Sequence, residues 1–199
     1  MSEEFNRSKT IQKNEELEIR SLQTDDSDEK IIEGYAITFN NQSKKLGTFY
    51  EVIDSRALDN VDLSDVKCLL DHDYSKVLGR TKSKTLTLSV DEKGLKFRCV
   101  LPKTSYADDL YELVNRSDVN ECSFGFTVNE QDKSAQTIKK MNDGSYLRTV
   151  NKINKLYEIS IVSLPAYSNT TAEIKRDFDN AVQQYEKEKL TLELELLDY

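Results

Sequence analysis

The sequence predicts a mainly β domain with a few helices (α+β), arranged as a barrel or a sandwich. Short segments of alternating polarity follow one another closely, and a glycine turn at 91–94 separates the clearest pair. Helical periodicity is confined to a segment after residue 104 and to the C-terminal region. Strands in quick succession, rather than strands alternating with helices, argue against a βαβ sheet.

Three parts are expected along the chain. Residues 1–16 are polar and charged and predict a flexible arm, 17–171 form the β domain, and 172–199 form a helical tail. Strands are predicted near 17–20, 31–39, 48–53, 66–70, 85–90, 95–99, 121–128 and 149–164, with a turn or loop over 24–30. A helix is expected to begin near Ser105, with one apolar stripe formed by Tyr106, Leu110, Leu113 and Val114.

Composition excludes several classes of protein. The chain is 37% apolar and 32% charged, and no segment approaches the roughly 20 apolar residues of a membrane span. A net charge of −8 disfavours a nucleic-acid binder. The N-terminus lacks the apolar core of a signal peptide, so a cytoplasmic protein is expected. The three cysteines (Cys68, Cys99 and Cys122) are far apart and are expected to be buried thiols, and one histidine argues against a catalytic zinc site.

The segment around Ser123 has two distinct faces. Alternation places Cys122, Phe124, Phe126 and Val128 on an apolar face that should meet the core. Ser123 and Gly125 share the other face, where Gly125 would leave open space for a bound peptide backbone. Ser123 is then either an ordinary polar residue or a nucleophile facing a groove.

A serine nucleophile needs a general base, and His72 is the only histidine in the chain. His72 stands at or just past the end of a short apolar strand, between Asp71 and Asp73. Glu158 lies inside an otherwise apolar strand, where a carboxylate is costly unless it is exposed or paired. It is therefore either an exposed strand residue or the acceptor of a hydrogen bond from the histidine.

Several short segments, in this order and spacing, resemble the prohead (capsid maturation) proteases of tailed phages, a family related in fold to the herpesvirus assemblins. The resemblance covers roughly residues 32–169. Its motifs are Gly34-Tyr35-Ala36 with Phe39, Glu51-Val52-Ile53, Leu70-Asp71-His72-Asp73 with Leu78-Gly79-Arg80, Gly94-Leu95, Ser123-Phe124-Gly125-Phe126, and Glu158-Ile159-Ser160-Ile161-Val162 leading to Pro165-Ala166. The fold it implies is a closed β-barrel of the herpesvirus-protease type, ringed by helices.

The resemblance implies roles for these residues. Ser123 would be the nucleophile, His72 the general base and Glu158 the third member, whereas assemblins use a second histidine there. Phe124 and Gly125 would contact substrate, and no cofactor or metal is expected. Assemblins stabilise the oxyanion with an arginine-bearing loop; Arg148 precedes the Glu158 strand but is not assigned that role.

The function implied is that of a serine endopeptidase acting in the host cytoplasm, inside the assembling procapsid. Its substrates would be the scaffold protein, or the scaffold-like segment of the major capsid protein, and the protease itself. A homodimer is compatible with this reading, and neither nucleic acid nor membrane is an expected partner. The alternatives are a non-catalytic assembly or scaffold module with the same fold, a hydrolase of small esters, and a cysteine peptidase using Cys122.

Overall fold

The computed structural model describes residues 19–24, 27–163 and 172–197. Eleven strands and two helices form within these ranges, in the following order. They are β1 (Arg20–Thr24), β2 (Ser27–Thr38), β3 (Phe49–Ile53), β4 (Lys67–Leu70), β5 (Asp73–Arg80), β6 (Leu86–Val90), β7 (Gly94–Val100), α1 (Ser105–Asn115), β8 (Glu121–Thr127), β9 (Gln136–Lys140), β10 (Tyr146–Val150), β11 (Lys155–Val162) and α2 (Ala172–Leu197). The predicted arm over 1–16 lies outside the described residues.

The strands form three sheets. Their orders are β1-β2-β7-β6, β3-β10-β9 and β5-β4-β11-β8. The prediction of a mainly β protein with helices is thus confirmed. Within the described ranges no sheet closes on itself, so the closed barrel expected from the resemblance is not confirmed.

Most strands match the sequence pattern, and the differences follow from pairing. The β6–β7 hairpin turns at 91–93 as predicted, because Asp91 Oδ1 accepts hydrogen bonds from the backbone N–H groups of Lys93 (2.9 Å) and Gly94 (3.1 Å). β2 already begins at Ser27, inside the predicted loop, because it pairs with β1 up to Thr24. The polar strands β5 and β9 were not predicted; each forms by antiparallel pairing with an adjacent strand.

One main apolar cluster joins the sheets. Phe97, Ile32, Leu95 and Ile159 are among its members and are at most 1% exposed. Burying such side chains stabilises the fold by about 1.5–3 kcal/mol each. Helix α1 packs against this cluster through Ala107, Leu110 and Val114, whereas Leu113 of the predicted stripe is exposed.

A smaller cluster positions α2. Leu46 and Phe49 are buried there, with Ile138, Tyr146 and Val182 packed against them. Glu186 on the same helix accepts hydrogen bonds from the Tyr146 hydroxyl (3.0 Å) and from Lys140 Nζ (3.3 Å). These contacts join α2 to the β3-β10-β9 sheet. No described helix has the length and apolar character needed to cross a bilayer.

Candidate active site

Strands β4, β11 and β8 place the sequence-predicted serine and glutamate on one face of a sheet. β11 pairs antiparallel with β8, so that Ser160 lies opposite Ser123 and Glu158 opposite Gly125. The intervening residue Ile159 belongs to the main core cluster and points to the other face. The alternation inferred from the sequence is therefore confirmed, and the second face of the sheet carries the polar groups.

His72 reaches this face from a two-residue turn. Leu70 pairs with Asp73 across the hairpin of β4 and β5, which leaves Asp71 and His72 as the turn residues. Both have positive φ, 50° and 59°, as type I′ hairpin turns require. For residues other than glycine this conformation costs roughly 1–2 kcal/mol each, and such strain is concentrated at functional sites.

Two strand contacts hold the turn in this conformation. The Asp71 backbone N–H donates to the carbonyl of Ile161 on β11 (3.0 Å). The Asp71 carboxylate in turn accepts from the backbone N–H (2.8 Å) and the hydroxyl (3.1 Å) of Ser163. The acidic residue before the histidine therefore anchors the turn to the end of β11.

Glu158 and His72 form the central contact of the site. His72 Nδ1 lies 2.9 Å from Glu158 Oε1, although the two residues are 86 positions apart in sequence. The Glu158 side chain is 3% exposed, whereas that of His72 is 38% exposed. The hydrogen bond to Glu158 raises the pKa of His72 above its ordinary value; burial opposes this shift, and the charges of Glu158 and Asp71 add to it.

Ser160 completes the contacts of the glutamate. Its hydroxyl donates to Glu158 Oε2 (2.5 Å) and accepts from the His72 backbone N–H (3.2 Å). In the sequence, Ser160 stood only as part of the Glu158 motif, without a role of its own. The signal was present in the polar alternation of Glu158 and Ser160 within an apolar strand.

Ser123 lies beside this group of residues. It is 5% exposed, so it is a buried residue rather than an ordinary polar residue on the surface of its strand. Directly opposed residues of an antiparallel pair have Cβ atoms about 4.5–5.5 Å apart, which brings Ser123 next to Ser160. Within the described part of the chain, no hydrogen bond joins Ser123 Oγ to the His72 ring.

Gly125 and Phe124, the two residues predicted to contact substrate, lie on opposite faces of β8. Glu158 Oε1 would lie 2.6 Å from a Cβ atom built on Gly125, so the open space expected beside Gly125 is filled by that carboxylate. Phe124 points away from Ser123, packs against the main core cluster and stacks on Phe126 with ring centroids 5.4 Å apart. Phe124 also lines a cavity of about 230 Å³ beside the start of β8.

The alternative groups considered in the sequence lie in other environments. Arg148 is 4% exposed, and its guanidinium donates to Glu51 (3.1 Å) and Gln136 (2.8 Å). Its charge is thus engaged in a buried pair. Burial raises the pKa of the Cys122 thiol well above its ordinary value, which disfavours the thiolate that a cysteine peptidase needs.

Comparison with known proteins identifies a family for the chain. The family model described as caudovirus prohead serine protease matches residues 15–184, a range that contains the Ser123, His72 and Glu158 segments. No curated protein and no solved structure matches the chain. Since the family model spans most of the sequence, the chain belongs to the caudovirus prohead serine proteases.

Proposed function

We propose that the protein is a Ser-His-Glu endopeptidase in which Ser123 is the nucleophile, His72 the general base and Glu158 the orienting carboxylate. The observation that carries this proposal is the 2.9 Å contact between His72 Nδ1 and a buried Glu158 carboxylate, on the sheet face that bears Ser123. A buried carboxylate on the far nitrogen of a histidine is the arrangement that prepares the ring to accept a serine proton.

The carboxylate selects the tautomer of the base. Glu158 Oε1 accepts a hydrogen bond from His72 Nδ1. The neutral His72 ring therefore carries its proton on Nδ1, and the lone pair of Nε2 is free to accept another. Nε2 takes the proton of Ser123 Oγ while Oγ bonds to the carbonyl carbon of the scissile peptide. The imidazolium formed in this step is stabilised by the negative charge of Glu158.

The later steps return the enzyme to its starting state. The tetrahedral intermediate collapses, the C–N bond breaks, and Nε2 donates its proton to the leaving amine. Water then attacks the acyl-Ser123 ester with His72 again acting as base, which releases the acid and restores the hydroxyl. Backbone N–H groups stabilise the oxyanion in such reactions, and each is worth about 100- to 1,000-fold in rate.

The family supports protein substrates in the assembling phage head. We propose that the enzyme cleaves the scaffold protein, or the scaffold-like segment of the major capsid protein, and also itself, inside the procapsid in the host cell. Phe124 lines the cavity beside the start of β8 on the sheet face opposite Ser123, so the geometry gives no support to the expected substrate contact of Phe124. Gly125 contributes by admitting the Glu158 carboxylate next to the nucleophile strand.

Intact-mass analysis after co-expression with the cognate capsid and scaffold proteins tests the proposal. Wild type should give trimmed capsid protein or trimmed protease, and Ser123→Ala only full-length species. Ser89→Ala, an exposed serine on β6, is the matched control and should cleave like wild type. Identical masses for wild type and Ser123→Ala, with procapsids assembled, would instead favour a non-catalytic assembly module.

A further inference from the structure

The hydroxyl of Ser160 bridges two parts of the site. Ser160 is 0% exposed and lies on β11 directly opposite Ser123 on β8. Its Oγ donates to Glu158 Oε2 at 2.5 Å and accepts the His72 backbone N–H at 3.2 Å. The Ser160 hydroxyl thus contacts both His72, the proposed base, and Glu158, the carboxylate that orients the His72 ring.

We propose that Ser160 is a positioning residue that holds the Glu158 carboxylate and the His72 turn in one fixed relation. The proposal rests on the proposed function, since positioning matters to catalysis only if His72 is the base. It assigns Ser160 no contact with substrate.

The glutamate needs this partner because a buried carboxylate can rotate. Glu158 Oε1 accepts from His72 Nδ1, and among the described residues the hydrogen bond that fixes the other oxygen, Oε2, comes from Ser160. Gly125 bounds the carboxylate from the side of β8, but it offers only a surface, not a hydrogen-bond donor. Ser160 therefore supplies the directional contact.

The histidine needs the same partner because its backbone conformation is strained. His72 has a φ of 59°, a value that residues other than glycine rarely adopt. The bond from its N–H to Ser160 Oγ joins the turn to β11, in addition to the Asp71 contacts one residue earlier. If this bond is lost, the imidazole can leave the position that Glu158 selects.

Ser160→Ala tests the proposal because it removes only one oxygen atom. We expect cleavage of the capsid protein to slow by about ten- to 100-fold, the range that small misplacements of catalytic groups produce. The matched control is Ser145→Ala. Ser145 is also buried and donates to a carboxylate, that of Asp143, at 2.5 Å, but it lies in the turn between β9 and β10. This control should cleave at the wild-type rate.

Nuclear magnetic resonance of the histidine separates positioning from general stability. His72 is the only histidine, so its ring and Nδ1–H signals are unambiguous, and a Ser123→Ala background prevents self-cleavage. Adding Ser160→Ala should increase hydrogen exchange of the His72 amide and shift the neutral ring toward the Nε2–H tautomer. Adding Ser145→Ala should change neither.

The outcomes decide the proposal separately from the peptidase assignment. Cleavage by Ser160→Ala within twofold of wild type, or His72 signals unchanged by it, would overturn the positioning role. If Ser160→Ala does not fold, the Ser123→Ala protein alone still decides: it must show a protected His72 amide and a slowly exchanging Nδ1–H, and their absence refutes the proposal. If wild type is inactive but these His72 signals are present, the peptidase assignment is refuted, whereas the contacts of Ser160 with His72 and Glu158 are supported.

Discussion

Replacing Glu158 by glutamine tests the orienting carboxylate most directly. The substitution keeps the size of a side chain that is 3% exposed, so the sheet should fold unchanged. It removes the negative charge 2.9 Å from His72 Nδ1 and allows the amide to donate to that nitrogen, which favours the wrong tautomer of the base. The Ser160 hydroxyl can still bond the amide, so the loss should be specific to the histidine.

Two magnitudes bound the expected effect. A hydrogen bond to a charged group contributes about 1.5–3 kcal/mol, and 3 kcal/mol corresponds to roughly 150-fold in rate. Amide replacement of a triad carboxylate with intact geometry costs about 10⁴-fold in kcat. For the Glu158 contact we expect a fall between these limits, about 10³-fold, with KM little changed because the carboxylate does not contact substrate.

The assay is a time course of capsid-protein cleavage by purified protein, followed by mass spectrometry. Glu33→Gln is a suitable control, because Glu33 is 13% exposed and pairs with Arg20 on the β1-β2-β7-β6 sheet, away from the site. A Glu158→Gln enzyme that is folded and less than tenfold slower than wild type would refute the assignment of Glu158 as the orienting residue.

Three further predictions concern pH, space and stability. Because Glu158 raises the pKa of His72 and a general base must be neutral, the cleavage rate should rise with pH through a midpoint above the ordinary histidine pKa of about 6.5. In Glu158→Gln this midpoint should move to lower pH. A cleavage rate that does not change between about pH 5 and 9 would count against His72 as the base. Because the pKa of His72 is higher in the folded protein than in the unfolded chain, its contact with Glu158 stabilises the fold at low pH. This contribution to the free energy of unfolding is lost as pH rises through the folded-state pKa. Gly125→Ala should reduce cleavage at least tenfold while the protein stays folded, since its methyl group would lie 2.6 Å from Glu158 Oε1; normal kinetics would show that the carboxylate can move without consequence. Arg148→Met should destabilise the protein by about 3–5 kcal/mol in thermal unfolding, because it leaves the Glu51 carboxylate buried and unpaired. The double variant Arg148→Met/Glu51→Leu should recover much of this loss. An Arg148→Met variant as stable as wild type would contradict a stabilising role for the buried pair.

The Arg148 effect should also depend on pH. Burial already raises the pKa of Glu51, and the charge of Arg148 opposes that shift. Without the arginine the folded protein holds the Glu51 proton more tightly than the unfolded chain does. Stability of Arg148→Met should therefore fall further as pH rises above the ordinary glutamate range, and the comparison with wild type is best made at two pH values.

Local patterns of polarity in the sequence were sufficient to predict those strands and helices in which each side chain's burial follows from its position within the element. Alternating polarity identified the β6–β7 hairpin and the two faces of the Ser123 strand, because side chains of a strand point alternately to core and solvent. The predicted helix after residue 104 formed as α1, because residues about one helical turn apart share a face; Leu110 and Val114 face the core, whereas Leu113 of the predicted stripe is exposed. By contrast, β5 and β9 are polar, and only pairing with β4 and β10 makes them strands.

The sequence by itself shows one histidine, one serine on a two-faced strand and one carboxylate in an apolar strand, together with a family's order of motifs. Tertiary structure decided how these residues meet. The parallel pairing of β4 with β11 brings the His72 turn to Glu158 across 86 residues, and the antiparallel pairing of β11 with β8 sets Ser160 against Ser123. Such contacts depend on which distant strands pair and in what register, and a one-residue shift would move Glu158 and Ser160 to the opposite face. Neither the contacts of Ser160 nor the filled space at Gly125 could therefore be inferred before the sheet was known.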